Sequence, residues 1–277
     1  MAMLTDEDFN RLLALSMRKD NFLKGKDEAL IELIEMCESE EQKELLYMLL
    51  SKFTYVNHDI FDDMVTEIAN YIKTQCDGRE DESCVAAMSM DDQPDSGELL
   101  LYYLKVPLHK EIAKGLHTIN KCGRINREYK DHQRTNFIVV DIFTGSGKTI
   151  RGRYNAFKNE HNEILFCLMT GMKHAIEELR KEGIPVYCVY EIEKGISDYR
   201  DYTDEERRKA IEDMLGLESK LAPEVRNRKL EDYSLGYGGA ESLIAYERFN
   251  TPNNVFPVFW WEKAANNKER TTLLTYV

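Results

Sequence analysis

Hydrophobic and polar positions follow two different rhythms along this chain. From residue 4 to about residue 76, apolar residues recur every three or four positions, which predicts consecutive amphipathic α-helices. Thr5 with Asp8, and Ser39 with Gln42, have the spacing of helix N-caps. The apolar stripes favour the core of a small helical bundle over a docking face.

From Ser83 onward, short apolar runs alternate with helical stretches. Four of these runs are rich in β-forming residues: SCVAAMSM, NFIVVD, EILFCLMT and PVYCVYEI. This alternation predicts an α/β fold with a parallel sheet, and ligands of such sheets bind at the carboxyl ends of the strands. We therefore predict a helical domain at 1–77 and an α/β domain at 82–277, with a lid-like helical insertion at 197–235.

The most informative segment is NFIVVDIFTGSGKTI, at residues 136–150. Its apolar start predicts a buried strand, and Gly145 and Gly147 allow backbone N–H groups to turn around an anion. The helix that follows brings its positive N-terminal end to the same point. Hydroxyl donors are added by three residues: Thr144, Ser146 and Thr149. The segment predicts a phosphate-binding loop.

Two kinds of phosphate-binding loop are compatible with this segment. The P-loop of nucleoside triphosphatases, G-x-x-x-x-G-K-[ST], matches Gly147, Lys148 and Thr149 but requires glycine where this chain has Ile142. A phosphoribosyl-binding loop does not require that glycine. In such a loop the acid at the end of the strand, here Asp141, binds ribose hydroxyls and the Thr/Gly turn binds the 5′-phosphate. We favour the second interpretation and keep a P-loop-like NTPase as an alternative.

The run FIVVDIFTGSGKT resembles the diphosphoribose-binding motif of type I phosphoribosyltransferases. The chain is still more similar to phosphoribosyltransferase-like effector proteins of bacterial anti-phage systems, some of them encoded beside reverse transcriptases, as in retrons. Two further segments carry this resemblance: MSMDDQPDSGELLLYYLK and LGYGGAESLIAYERFNTPNNVFPVFWW. The similarity covers roughly residues 82–262. It departs from the family at Ile142, where phosphoribosyltransferases usually carry a second acid.

The resemblance implies a toxic effector enzyme, either a phosphoribosyltransferase, which is a glycosyltransferase, or a hydrolase of a nucleotide glycosidic bond. Asp141 would be its catalytic acid and would share a Mg²⁺ ion with the ligand. The other implied site residues are Ser96 and Gly97 with Lys105 or Lys148 at the pyrophosphate, Thr144, Gly145, Ser146, Gly147 and Thr149 at the 5′-phosphate, and Asn253 and Asn254 at a base edge or in a turn. Because Asp141 would act alone, a module that senses a nucleotide without turnover is the alternative.

Charge limits the partners of the chain. Its 277 residues include 37 Lys and Arg against 50 Asp and Glu, and the formal charge of −13 argues against a non-specific nucleic-acid binder. Between Lys105 and Arg134, however, eight basic residues stand against three acids. A solvated surface explains this stretch. The alternative, which the resemblance adds, is a hetero-complex with a reverse transcriptase and its RNA–DNA product.

The six cysteines have no C-x-x-C spacing, and no histidines lie at metal-binding spacing from them. This pattern predicts buried free thiols and a reducing, cytoplasmic setting. No apolar run approaches the roughly 18 residues needed to cross a bilayer, and residues 1–15 show no cleavable signal peptide. We expect a soluble protein without membrane contact. Of Trp260 and Trp261, we expect one in the core and one near the surface.

Overall fold

The structure is a computed structural model that describes residues 5–89, 95–129, 134–247 and 249–276. The helices of this part of the chain are α1 (Asp6–Ser16), α2 (Asp27–Glu35), α3 (Glu40–Lys52), α4 (His58–Cys76), α5 (Ser96–Leu104), α6 (His109–Ala113), α7 (Ile125–Glu128), α8 (Lys148–Phe157), α9 (Lys173–Lys181) and α10 (Asp204–Glu218). The strands are β1 (Thr54–Val56), β2 (Ser83–Ala87), β3 (His117–Ile119), β4 (Asn136–Thr144), β5 (Glu163–Met172), β6 (Val186–Ile192), β7 (Glu224–Val225), β8 (Arg228–Lys229) and β9 (Ile244–Tyr246).

The helix starts predicted from the sequence are confirmed. Thr5 and Asp8 form a reciprocal capping box at α1, and the Ser39 hydroxyl accepts a hydrogen bond from the Gln42 N–H at α3. The apolar faces of α3 and α4 are buried, as the helical spacing predicted. On α1, by contrast, the residues facing outward include apolar side chains, with Phe9 64 % exposed.

The chain forms two compact units whose limits differ from the expected domains. Unit 1 comprises residues 1–58 and 193–277, and unit 2 comprises residues 59–192. The expected boundary near Gly78 is therefore not where the chain divides, and the first three helices belong with the C-terminal part of the chain.

Strand pairing explains why the limits differ. β1 follows α3 and pairs in parallel with β9, so that Thr54 lies opposite Ile244 and Val56 lies opposite Tyr246. The segment 197–235, which we expected to be a lid on the α/β domain, also belongs to unit 1. Its helix α10 packs against α3. Residues distant in sequence thus build one helical unit.

Unit 2 contains the predicted parallel sheet, with five strands in the order β3-β2-β4-β5-β6. β4 is central, because Asn136 at its start lies opposite both Ser83 of β2 and Glu163 of β5. The residues from Phe137 to Val140 are almost fully buried, as expected for a central strand. The α/β class is confirmed, and the sequence missed only the short edge strand β3 among the strands of this sheet.

Both tryptophans lie in the core of unit 1. The Trp260 indole N–H donates to the Val255 carbonyl and the Trp261 indole N–H donates to the Ala222 carbonyl, each at 2.9 Å. Their polar atoms are therefore satisfied inside the protein. The expectation that one of them lies near the surface is wrong.

All six cysteines are buried free thiols, which confirms that prediction. Burial raises the pKa of each thiol for which a shift is resolved, as for Cys188, where it reaches about 12. Within the described ranges, every helix is too short or too polar to span a membrane.

Candidate functional site

Asp141 and Ser96 meet at the carboxyl end of the sheet in unit 2. Asp141 lies in β4, and Ser96 begins α5, the helix that follows the neighbouring strand β2. The Ser96 hydroxyl donates a 2.5 Å hydrogen bond to Asp141 Oδ1, and the Ile142 N–H donates a 2.8 Å bond to the same oxygen. The parallel topology thus joins two segments that are 45 residues apart in sequence.

The carboxyl group of Asp141 is only partly satisfied. Burial raises its pKa to about 6, although the hydrogen bonds from Ser96 and Ile142 act in the opposite direction. Both of those bonds end on Oδ1, and Oδ2 accepts none from the residues that the structure describes. A carboxylate oxygen in this state can accept a ligand hydroxyl or coordinate a cation.

A loop of three residues, 145–147, connects β4 to α8. β4 continues past Asp141 to Thr144, which pairs with Gly171 of β5. Asp141 therefore lies within the strand and does not end it. Gly147 is the N-cap of α8 with a φ of 71°, and a Cβ there would lie 3.1 Å from Leu179 Cδ1. Glycine fits this left-handed, crowded position without strain.

The start of α8 presents backbone donors beside this loop. The Gly147 N–H has no acceptor among the described residues, and the Lys148 N–H has only the Ser146 hydroxyl, at 3.4 Å. Both groups lie at the positive end of the α8 dipole. The side chains of Lys148 and Thr149 are exposed at the same end. This end of α8 is suited to an anion such as a phosphate group.

The sequence model of one protein family, PRTase-CE, matches residues 37–274. The chain belongs to the PRTase-CE family. The match includes Asp141 and the loop before α8, and it extends into both units. This PRTase-CE protein therefore has a phosphoribosyltransferase-like fold, of which unit 2 carries the parallel sheet.

Several solved structures are similar to part of this chain. One is a Helicobacter pylori xanthine-guanine-hypoxanthine phosphoribosyltransferase, 12 % identical, with 53 % of this chain and 90 % of that chain covered at a TM-score of 0.33. A second is a Schistosoma mansoni hypoxanthine-guanine phosphoribosyltransferase in complex with IMP, 14 % identical, with coverages of 56 % and 82 % at a TM-score of 0.35. A third is a hypothetical protein from Neisseria gonorrhoeae with bound ppGpp, 14 % identical, with coverages of 58 % and 97 % at a TM-score of 0.36.

These TM-scores lie below 0.5, so the fold assignment of the PRTase-CE protein rests on its sheet topology and the family match. A comparison with curated proteins finds no match.

Two residues that we assigned to a pyrophosphate, Gly97 in α5 and Lys105 at its C-cap, lie at opposite ends of this helix. A Cβ on Gly97 would lie 2.8 Å from Met88 N and 3.0 Å from Val140 O, so this glycine lets α5 approach the strand ends closely. Lys105 is the C-cap of α5, nine residues after Ser96, or roughly 13 Å along the helix axis. Lys105 is thus not brought to Ser96. The acids at positions 91 and 92, which flank the same loop, lie outside the described residues.

Asn253 and Asn254 belong to unit 1, where they hold a glycine turn. The Asn254 side-chain amide donates to the Tyr237 carbonyl at 2.9 Å, and the Asn253 carbonyl accepts the Tyr237 N–H at 2.9 Å. A Cβ on Gly236 would lie 2.0 Å from the Asn254 carbonyl oxygen. The turn-forming interpretation therefore describes these asparagines better than recognition of a base.

The position of Ile142 argues against a nucleoside-triphosphatase P-loop. The first glycine of that motif would stand at this residue, which lies within β4, is 3 % exposed and accepts a 3.1 Å hydrogen bond from the Thr170 hydroxyl to its carbonyl. The connection to α8 has only three residues, whereas a P-loop wraps the phosphates with a longer glycine-rich stretch.

The acid that the described residues bring to the site, Asp141, is compatible with a magnesium ion that the protein shares with a bound ligand. In the described part of the chain, no three His, Cys, Asp or Glu side chains gather at metal-binding distances. Mg²⁺ commonly takes one carboxylate from the protein and completes its shell with substrate phosphates and water. Asp141 Oδ2, which accepts no hydrogen bond from the described residues, is the ligand that the chain would contribute.

The sequence interpretation missed Arg151. This residue lies in α8, one turn after the loop, and donates from Nη1 to the Ser146 carbonyl at 2.9 Å. It also binds Glu178 of α9 and Glu182, the C-cap of α9, which are spaced four residues apart. The sequence contains this i, i+4 pair of glutamates, but only the folded chain brings the pair to Arg151 and so connects it with the loop.

Proposed function

We propose that this PRTase-CE protein binds a 5′-phosphorylated ribose compound, such as phosphoribosyl diphosphate or a nucleotide, at the carboxyl ends of β2 and β4. The observation that supports this most is that Asp141, whose Oδ2 accepts no hydrogen bond from the described residues, lies in the strand that leads to α8. The start of α8 is suited to an anion. Asp141 Oδ2 would accept the ribose hydroxyls. The N–H groups of Gly147 and Lys148 would bind the 5′-phosphate.

The reaction proposed for this site breaks the bond between C1′ of the ribose and a pyrophosphate or base. The leaving group takes the bonding electron pair. A base or a water molecule forms the new bond to C1′, where positive charge develops, and releases its proton to solvent or to the leaving base. The residues of the chain contribute by holding the phosphate and orienting the hydroxyls. When bound, Mg²⁺ would neutralise charge on a leaving pyrophosphate.

A second candidate function is recognition of a nucleotide without turnover. The specific observation in its favour is Ile142, a buried apolar residue that stands where phosphoribosyltransferases usually carry a second acid. With one acid, the site keeps a hydroxyl acceptor but has less charge for a metal ion. The protein would then act as a sensor within the same system.

The setting that we propose is a bacterial anti-phage system of the retron type, in which this protein is the effector. The proposal draws on the resemblance of the three segments 88–105, 137–149 and 235–261 to such effectors. A complex with a reverse transcriptase and its RNA–DNA product would restrain the effector until infection. Among the basic residues between Lys105 and Arg134, Lys105 and Lys110 are exposed, which supports contact with that partner.

Two experiments test these proposals. Incubation of the protein with phosphoribosyl diphosphate, NAD and common nucleotides, with and without Mg²⁺, should consume one of them. Saturable binding without a product would favour the sensor instead, and orthophosphate release from ATP alone would contradict the phosphoribosyl site.

For the partner, Lys105→Glu with Lys110→Glu should weaken co-elution with a co-expressed reverse transcriptase in a salt-dependent way. Elution of the wild type alone at every salt concentration would contradict the complex.

A further inference from the structure

Arg151 connects the loop before α8 to the end of α9 through the three nitrogen atoms of its guanidinium group. Nη1 donates to the Ser146 carbonyl at 2.9 Å. Nε and Nη2 donate to Glu182 at 2.8–2.9 Å, and Nη2 also donates to Glu178 at 3.2 Å. Such a fork of charge-assisted hydrogen bonds fixes the plane of a guanidinium group. The Ser146 carbonyl is therefore held by a group that is itself held rigidly.

The orientation of that carbonyl determines the orientation of the next N–H. The carbonyl of Ser146 and the N–H of Gly147 belong to one peptide group, and in a trans peptide they point in opposite directions. Because Arg151 binds the carbonyl on one side, the Gly147 N–H points to the other. Gly147 has the left-handed φ of 71° and the conformational freedom of glycine, so sequence alone does not fix this peptide plane.

We propose that Arg151 is a positioning residue that orients the Ser146–Gly147 peptide so that the Gly147 N–H faces the bound 5′-phosphate. If the peptide turned over, it would present a carbonyl oxygen to the phosphate, and an attractive contact would become a repulsive one. Arg151 does not act as the counter-charge of the phosphate, because Glu178 and Glu182 already neutralise its guanidinium. This inference rests on the proposed phosphoribosyl site and adds the residue that shapes its phosphate end.

Calorimetry with ribose 5-phosphate tests the role of Arg151. Arg151→Met should weaken binding about tenfold or more, in the range expected for one lost charge-assisted hydrogen bond. Arg151→Lys should have an intermediate effect, because an ammonium group cannot hold the carbonyl and both glutamates in one plane. The matched control is Arg180→Met, which removes another arginine–glutamate pair of unit 2, with Glu191, and should leave affinity unchanged.

Two further measurements separate positioning from a general loss of structure. In the wild type, the Gly147 amide resonance should shift when ribose 5-phosphate is added, and in Arg151→Met that shift should be lost while distant amides keep their positions. In Arg151→Ala, millimolar guanidinium should restore part of the affinity, since it can occupy the space of the missing group. Neither effect is expected if Arg151 only stabilises the packing of α8 on α9.

The outcomes distinguish this inference from the proposed function. If the wild type does not bind ribose 5-phosphate, the phosphoribosyl site itself is wrong. If the wild type binds and Arg151→Met binds equally well, only the role of Arg151 is wrong. Should Arg151→Met fail to fold, the double variant Glu178→Gln and Glu182→Gln keeps Arg151 but removes the charges that hold it. That variant should bind several-fold more weakly, and unchanged or tighter binding would overturn the inference.

Discussion

Two aspartates, one in each unit, show how differently the same side chain can be used. Burial alone would raise the pKa of Asp8 in α1, but hydrogen bonds from the Thr5 backbone, Lys43 and Tyr47 together hold it well below its usual range. Three of these bonds are 2.8–3.0 Å long and engage both carboxylate oxygens. Among the residues that the structure describes, Asp141 has only two donors, both on Oδ1, and burial raises its pKa to about 6.

The contrast separates a structural acid from a candidate functional one. The negative charge of Asp8 is paired with Lys43, and both of its oxygens accept hydrogen bonds within unit 1. Asp8 therefore fixes α1 on α3 and offers nothing to a ligand. Asp141 has an oxygen without a donor in the described residues, and a ligand can supply the missing partner. Departures from complete pairing are expected at sites selected for function.

The largest effect should come from breaking the Asp8 pair. Lys43→Met leaves the Asp8 carboxylate buried without its cation and should lower the free energy of unfolding of unit 1 by about 3 kcal/mol. Trp260 and Trp261, the two tryptophans of the chain, both lie in unit 1, so denaturation followed by tryptophan fluorescence reports on this unit. Lys209→Met, which removes the more exposed pair with Glu41, should cost less than about 1 kcal/mol. Equal losses in the two variants would contradict the structural role of Asp8.

Asp141→Asn should act on function. The amide keeps both hydrogen bonds to Oδ1 but loses the negative charge, so turnover of a phosphoribosyl compound should fall by about 10²-fold or more. If the protein is a sensor, affinity should fall instead of turnover. Asp95→Asn is the matched control, because Asp95 caps α5 by accepting the Glu98 N–H and shares no hydrogen bond with Asp141. Its charge acts on Asp141 only by raising the pKa of that group, so Asp95→Asn should have a smaller effect. An unchanged rate and affinity in Asp141→Asn would exclude the proposed role.

Asp141→Asn should also stabilise unit 2. The pKa of Asp141 rises from 3.8 to about 6 on folding, so ionisation costs stability as pH rises through this interval and the full cost is present at pH 7. The shift corresponds to about 3 kcal/mol, and contact with water reduces the expected gain in Asp141→Asn to about 2 kcal/mol. Hydrogen exchange of β4 and β5 amides at pH 7 measures it. The gain should vanish near pH 4, and a destabilised variant at pH 7 would contradict the sign.

The smallest effect concerns the pH dependence of binding. Between pH 7 and pH 5, protonation of Asp141 should weaken ribose 5-phosphate binding by up to about tenfold, because one pH unit below a pKa leaves about a tenth of a group ionised. The phosphate itself titrates near pH 6, so the same series with Asp141→Asn serves as the control. The two series should diverge only above pH 6. Parallel series would show that Asp141 does not contact the ligand.

Local patterns predicted much of the fold but not its division. The caps at Thr5 and Ser39 and four strands of the sheet follow from spacing within a few residues. The division depends on β1 and β9, two strands of three residues that pair across about 190 positions of sequence. Segments this short carry no periodicity that would identify their partner.

The candidate site shows the same limit. Asp141 and the loop before α8 follow from one continuous segment of sequence. Lys105 stays a predicted counter-charge, but the assignment did not consider the length of α5, which puts this residue at the opposite end of the helix from Ser96. Arg151 was missed because its partners come from a different helix. Residues that act through a distant element are visible only after the elements have packed.

The most direct test of this account compares ribose 5-phosphate with inorganic phosphate in the wild type and in Asp141→Asn at pH 7.5. The loop at α8 should bind the phosphate group of both ligands, whereas Asp141 should contact only the ribose. We predict that the variant binds ribose 5-phosphate more weakly than the wild type and binds inorganic phosphate with unchanged affinity. Two results would contradict the account. If the wild type binds both ligands equally well, or if Asp141→Asn binds ribose 5-phosphate as tightly as the wild type does, Asp141 and the loop do not form one phosphoribosyl site.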